Sequence, residues 1–175
     1  ATLTATDVDD GTKTPSTSPA TTVGVGAFTK LQLLVPGETA VPGSTSGKTG
    51  TPSAQNVDNL VVFTVNAVDA NWNLVSTVTD TVGITSSDAN AGLPAQTALV
   101  GGTQSLPLKF NTAGTRTITA SDVTDGAKTA STSPSITVAV GAFAKQQVLM
   151  PGETAAPGTA TGKTGTPTAQ TAGTA

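Results

Sequence analysis

The chain has 175 residues, 8 basic and 11 acidic side chains and a formal net charge of -3, and it contains no His, Cys or Tyr. Ser-His-Asp and Cys-His catalysis, thiolate chemistry, imidazole zinc sites and disulfides are thereby excluded. The thinly spread basic residues argue against nucleic-acid binding, and the longest apolar run falls far short of the ~20 residues that cross a bilayer as a helix.

The elements are best read against an internal repeat. Residues 1–60 recur at 116–175 at a constant offset of 115, without gaps and with 37 identities. The sequence therefore reads as a window on a longer repetitive protein. It divides into the closing strands of one repeat at 1–26, one complete repeat at 27–141, and the opening strand and Pro/Gly segment of the next at 142–175.

From the N-terminus, Leu3 and Ala5 alternate with Thr2 and Thr4, as Ile118 and Ala120 do with Thr117 and Thr119. Between that strand and the one holding Thr21, Val23 and Val25 lies an acidic turn with Asp7, Asp9, Asp10 and Gly11. Its second copy keeps Asp122, Asp125 and Gly126 but has Thr124 in place of Asp9. A ligand lost between copies favours a hairpin tip over a metal site. The stretch FTKLQLLV, 28–35, predicts a strand. Leu31 becomes Gln146 in the second copy, which places that position near an exposed strand end.

Residues 36–58 are rich in Gly, Pro, Thr and Ser, and they open with PGETAVPGSTSGKTGTPSAQ. This part matches its second copy at 15 of 20 positions, against 22 of 35 for residues 1–35. A passive linker would drift at least as fast as the strands beside it. The segment is therefore expected to be ordered, with polyproline-like stretches lying along a neighbouring module or subunit. Its Thr and Ser residues also offer sites for O-glycans.

The next strand, 61–68, places Phe63, Val65 and Ala67 on one face. The turn DANWN, 69–73, ends it. Val78, Val82 and Ile84 share a face in 75–85, with a bulge or break expected near Asp80. Leu106, Leu108 and Phe110 alternate around Pro107, which argues for an edge strand or bulge. A turn at 111–114, the strand of Ile118 and Ala120, a long hairpin connection and the strand of Ile136, Val138 and Val140 complete the period. Six or seven short strands without helical periodicity predict an all-β, immunoglobulin-like Greek-key β-sandwich, in tandem repeats of about 115 residues. A β-solenoid is the rival, but no sub-period of ~20–30 residues is present.

The pieces VNAVDANWN, ITSSDANAGLPA and FNTAGTRTITASDV, in this order, resemble the bacterial immunoglobulin-like tandem repeats of large secreted and cell-surface proteins such as adhesins. The resemblance covers the period 27–141 and the partial copies beside it. It implies an immunoglobulin-like sandwich, an extracellular or cell-surface location and a scaffold or adhesion role. Trp72 stands where relatives commonly carry Gly, and 36–58 is longer than the usual connection.

Several motifs invite a sharper chemistry. GSTSGKTG (43–50) and GTATGKTG (158–165) look like phosphate-binding loops, but they have three residues between the glycines instead of four, and Pro52 follows. Asp69, Asn71, Asn73 and Asp80 match positions 1, 3, 5 and 12 of a calcium loop, yet Leu74 occupies the glycine position. Glu38 and Glu153 are the only glutamates, with no enclosing cleft in prospect. Lys30 is the candidate for an internal Lys–Asn crosslink. Trp72 either caps the core or serves as an exposed binding anchor.

The expected function is a structural repeat module of a long bacterial extracellular filament or surface adhesin, giving extension and adhesion without catalysis. The alternative is a carbohydrate- or receptor-binding accessory module of a secreted protein. No catalytic, cofactor or metal residue is assigned. The expected partners are neighbouring copies of the repeat, in line or by strand donation between free chain ends, and host or surface glycans. The matching VGAF passages at 25–28 and 140–143 are the expected junctions between modules.

Overall fold

The computed structural model describes residues 1–173, and every regular element among them is a β-strand. In chain order these are β1 (Thr4–Ala5), β2 (Ser16–Thr17), β3 (Lys30–Leu34), β4 (Glu38–Ala40), β5 (Lys48–Gly50), β6 (Gln55–Asn56), β7 (Leu60–Val68) and β8 (Thr81–Ser86). There follow β9 (Thr97–Ala98), β10 (Thr103–Lys109), β11 (Gly114–Arg116), β12 (Ile118–Asp122), β13 (Ser131–Thr132), β14 (Ile136–Ala139), β15 (Glu153–Ala155) and β16 (Lys163–Gly165).

Three sheets enclose the core, in the orders β10-β7-β3, β13-β12-β8-β9 and β11-β14-β6. All pairings are antiparallel except β14 with β6. The free edge of β3 is stitched to the run before β13. The Leu31 N–H donates to the Thr129 carbonyl at 2.9 Å, and the Leu33 N–H to Ser131 Oγ at 3.0 Å. Period-two alternation sends Val61, Phe63, Val65 and Ala67 of β7 into one interior with Leu106 and Leu108 of β10 and Ile118 and Ala120 of β12. The result is a sandwich-like, aliphatic core in which Phe63 and Phe110 are the largest buried side chains. Among the described residues, every buried hydrophobic one lies in the span from Leu31 to Val138.

Pro107 sits in β10, an edge strand, where its missing N–H removes no ladder bond from a central strand. Of the strand expected over 75–85 only the second half forms, as β8 from Thr81, and residues 75–80 are turn and irregular chain. Three further expectations need correction. Leu31 is 1% exposed, because the β3 edge is covered by the run before β13. Val140 is 76% exposed, because β14 stops at Ala139. Residues 36–50 are not polyproline-like, although their second copy does reach the neighbouring repeat at the Pro157 carbonyl. They form the hairpin β4–β5, folded back on their own strand β3.

Outside the core lie two further hairpins whose registers reproduce inner ones at the offset of 115. Thr4 faces Thr17 as Thr119 faces Thr132, and Glu153 faces Gly165 as Glu38 faces Gly50.

Candidate functional site

The GKTG motif is strand and turn. Lys48 in β5 pairs with Glu38 in β4 at 2.8 Å, and the Glu38 side chain is only 1% exposed. Glu38 also accepts the Val35 N–H at 3.1 Å, while Lys48 donates to the Leu33 carbonyl at 3.1 Å. The second copy repeats the device. Lys163 pairs with Glu153 at 2.6 Å, and Glu153 accepts the Met150 N–H at 2.9 Å. The Lys163 ammonium, helped by that N–H, holds the Glu153 carboxyl below its ordinary range. The two glutamates are thus the roots of a hairpin, each occupied by its own lysine.

At the N-terminal end of the sandwich, Asp69 organises the turn 69–73. Its Oδ1 accepts the N–H groups of Asn71 at 2.8 Å and Asn73 at 2.9 Å. Its Oδ2 accepts the Asn73 amide at 3.0 Å and the Gly26 N–H at 2.8 Å. The Asn73 amide, Gly26 and the turn amides together hold the carboxyl down at about 2. A calcium loop would aim the Asn73 oxygen inward, whereas here its nitrogen points at the carboxylate. Asp80, the fourth residue of that pattern, lies elsewhere, beside Asp122.

The same end carries Trp72. Its φ of 68° and the turn lay the indole flat on Gly47 of the hairpin, and its Nε1 donates to the Thr45 carbonyl at 3.3 Å. Lys30 Nζ lies 3.5 Å from the indole centroid and donates to the Ala70 carbonyl at 2.9 Å. This removes Lys30 from the geometry of an internal crosslink, which needs a buried acid against the ammonium. Trp72 packs the hairpin onto the sandwich end.

At the C-terminal end, the buried Asp88 carboxylate plays the part that Asp69 plays opposite. Oδ1 accepts the Asn90 N–H at 3.0 Å, and Oδ2 accepts those of Asn111 and Thr112, both at 2.9 Å. Burial pushes the Asp88 carboxyl up, but the donors from Thr112, Asn90 and Asn111 outweigh it and leave the group below its ordinary value. The ordered loops present the Asn90 amide outward. It donates to the carbonyl of Pro157, in the second hairpin, at 3.2 Å. The sequence offered one signal for this end, the turn-forming SSDANAG, but nothing in it pointed to Thr112 as a neighbour.

The acidic tips are Asx turns. Asp7 Oδ1 accepts the N–H groups of Asp9 and Asp10, as Asp122 Oδ1 accepts those of Thr124 and Asp125. Among the described residues no group of three or more His, Cys, Asp or Glu is arranged to hold a metal, and no helix is long and apolar enough to cross a membrane. Asp122 Oδ2 is buried and without a hydrogen-bond partner.

Several strongly exposed large hydrophobic residues lie on the two end pieces. Leu3 is 81% and Val23 76% exposed, whereas their counterparts Ile118 and Val138 are at 0% and 2%. Val148 and Met150 are exposed where Leu33 and Val35 are buried. A shallow pocket lined by Leu3, Pro19 and Ala20 marks the first of these uncovered faces. No family model matches the chain, and no curated protein matches it.

Proposed function

We propose that the chain is a mechanical part: immunoglobulin-like repeats of a long bacterial extracellular filament or surface adhesin, whose work is to extend and to space. The observation that carries this reading is the paired burial of residues 115 apart. Leu3, Val23, Val148 and Met150 are core residues in type, and their counterparts are buried by β7, β8, β10 and β12. Further copies of the same strands would cover them. The immunoglobulin-like reading draws support from connectivity. The chain passes from β3 and β7 in one sheet to β8 in the second, returns to β10 in the first, and crosses again to β12. The parallel pairing of β6 with β14 matches an opening strand that switches sheets.

Continuous repeats fit better than strand donation between free ends. The two end pieces together hold counterparts of β3–β5 and β12–β14 but none of β7–β10. Phe63, Val65, Leu106 and Leu108 belong to those missing strands, so paired ends would leave a core open. The extracellular location rests on the resemblance alone, since a composition with no Cys fits a reducing cytosol equally well, and no catalytic role is proposed. The rival reading, a carbohydrate-binding module, is weakened by the place of Trp72, the only Trp, which is spent on Gly47 and Lys30. Negative-stain imaging of arrays of this repeat tests the proposal. Straight rods with a regular axial spacing are expected, and randomly bent beads would refute it. Glycan binding lost on Trp72→Ala would favour the rival.

A further inference from the structure

We infer that the Pro-Gly tip of the hairpin is a docking element, and that its partner is the C-terminal end of the preceding copy of the repeat, where Asn90 and Thr112 form the seat. This deepens the serial-repeat reading and rests on it. The observation is a difference between two tips that are built alike. In the first, the Val41 N–H donates to the Gly47 carbonyl at 2.6 Å and Ser44 Oγ to the Val41 carbonyl at 2.8 Å. In the second, the Ala156 N–H donates to the Gly162 carbonyl at 2.6 Å and Thr159 Oγ1 to the Ala156 carbonyl at 2.8 Å. Gly43 and Gly158 have φ of 79° and 82°. The tip conformation therefore belongs to the hairpin itself.

Only the surroundings differ. A Cβ on Gly158 would lie 2.5 Å from Thr112 Oγ1 and 2.9 Å from Asn90 Nδ2, whereas one on Gly43 would meet nothing within 4 Å. The second tip is seated on the end of the preceding repeat. The first is held only by its own repeat, its Gly43 N–H donating to the Asn71 carbonyl at 2.7 Å, and the outer side of Gly43 is open. The seat is preformed by its own repeat. Asp88 holds the amides of Asn90 and Thr112, and the Asn111 side chain donates to the Asn90 carbonyl at 2.6 Å. The Asn90 amide then reaches Thr112 Oγ1 at 3.3 Å and the Pro157 carbonyl at 3.2 Å. The tip is complementary, with a carbonyl for the amide and a glycine where a side chain would collide. At the offset of 115, the seat for Pro42-Gly43 would fall at positions ahead of Ala1, outside this sequence. Pro-Gly nevertheless stands at both tips. With the Gly26-to-Asp69 bond, each junction then has two fastening points, one from the connecting chain and one from the hairpin. Two points fix the bend and the rotation between copies.

Backbone amide relaxation in two proteins tests this. One is the 175-residue chain. The other is the same chain with residues 27–115 added ahead of Ala1, which completes the first repeat by its own arithmetic. In the 175-residue chain, the amides of β15 and β16 should tumble with the sandwich. Asn90→Ala, which leaves the hairpin intact, and Gly158→Ala should each free them, shortening their local correlation time about twofold or more. Gly43→Ala carries the same backbone strain as Gly158→Ala and should leave β15 and β16 seated. In the extended chain, Gly43→Ala should also uncouple the added repeat from the one that follows. The proposal is overturned if Asn90→Ala leaves β15 and β16 tumbling with the sandwich, or if the extended chain with native tips behaves as two independent bodies. Seated tips in arrays that bend at random would leave docking in place and remove only the spacer reading.

Discussion

The indole of Trp72 lies against Gly47 so closely that a Cβ on the glycine would fall 2.1 Å from the ring. Two segments 25 residues apart in the sequence thereby become one surface, and the contact explains why a bulky residue is accommodated in the turn at 69–73. The partner position must be Gly for two reasons, since its φ of 74° is also unfavourable for any side chain.

Gly47→Ala should therefore destabilise the protein by at least ~1–2 kcal/mol from backbone strain alone, with the ring displaced in addition. Trp72 is the only tryptophan, so its emission reports the contact directly. A red shift together with a lower denaturation midpoint is expected. An unchanged emission spectrum would show that the ring does not rest on Gly47.

The Lys48–Glu38 pair is buried on the acid side, which makes the single substitutions worse than the double. Lys48→Met strands a buried carboxylate and should cost about 3–5 kcal/mol. Glu38→Leu combined with Lys48→Met should recover a large part of that loss. Urea unfolding of Glu38→Leu, Lys48→Met and the double variant closes the cycle, and strictly additive effects would contradict the pairing.

Asp69 makes stability depend on acid. Its carboxyl is held at about 2 in the fold against an ordinary 3.8. A depressed pKa contributes stability that is fully present above the unfolded value and is lost as pH falls through the folded one. The denaturation midpoint should accordingly fall between about pH 4 and pH 2. Asp69→Asn should lower the midpoint at pH 7 and flatten its dependence in that window. The Gly26 amide should also exchange faster in the variant, because its acceptor is lost.

Asp80 has the opposite sign. Burial first, and then the Asp122 and Asp125 carboxylates, raise its pKa, with Lys128 a partial counterweight. Its contribution is greatest below 3.8 and declines as pH rises through the raised folded value. Asp80→Asn should hence stabilise the protein at pH 7, with the gain shrinking as the pH is lowered toward 3.8. A midpoint at pH 7 at or below that of the wild type would contradict this account.

The strands and hairpins were legible because their signals are local. Alternation in 61–68 placed Phe63, Val65 and Ala67 inward, and Pro107 marked an edge. Residues 36–50 were legible only in part. Two copies matching at 15 of 20 positions gave the expectation of an ordered segment, but proline content suggested an extended path. The hairpin depends on the buried Lys48–Glu38 pair and on Gln32 reaching the Gly47 carbonyl at 2.8 Å, neither of which has a periodic signature. The calcium-like spacing of Asp69, Asn71, Asn73 and Asp80 was legible as a pattern and misleading as chemistry, because Asx turns use the same residues.

The sequence by itself determined the period of 115, because it is a direct match between two stretches of chain, and much of the turn chemistry, because that depends on residues a few positions apart. Only the tertiary structure decided burial. Leu3 and Ile118 are both aliphatic strand residues at equivalent positions, yet one is exposed and the other enclosed, since only the second has β7, β8 and β10 folded over it. It also decided the seat at Asn90 and Thr112, which meet a hairpin more than forty residues further along the chain. Hydrophobic burial and side-chain recognition are set by what the rest of the chain brings near, and alternation along one strand carries no record of that.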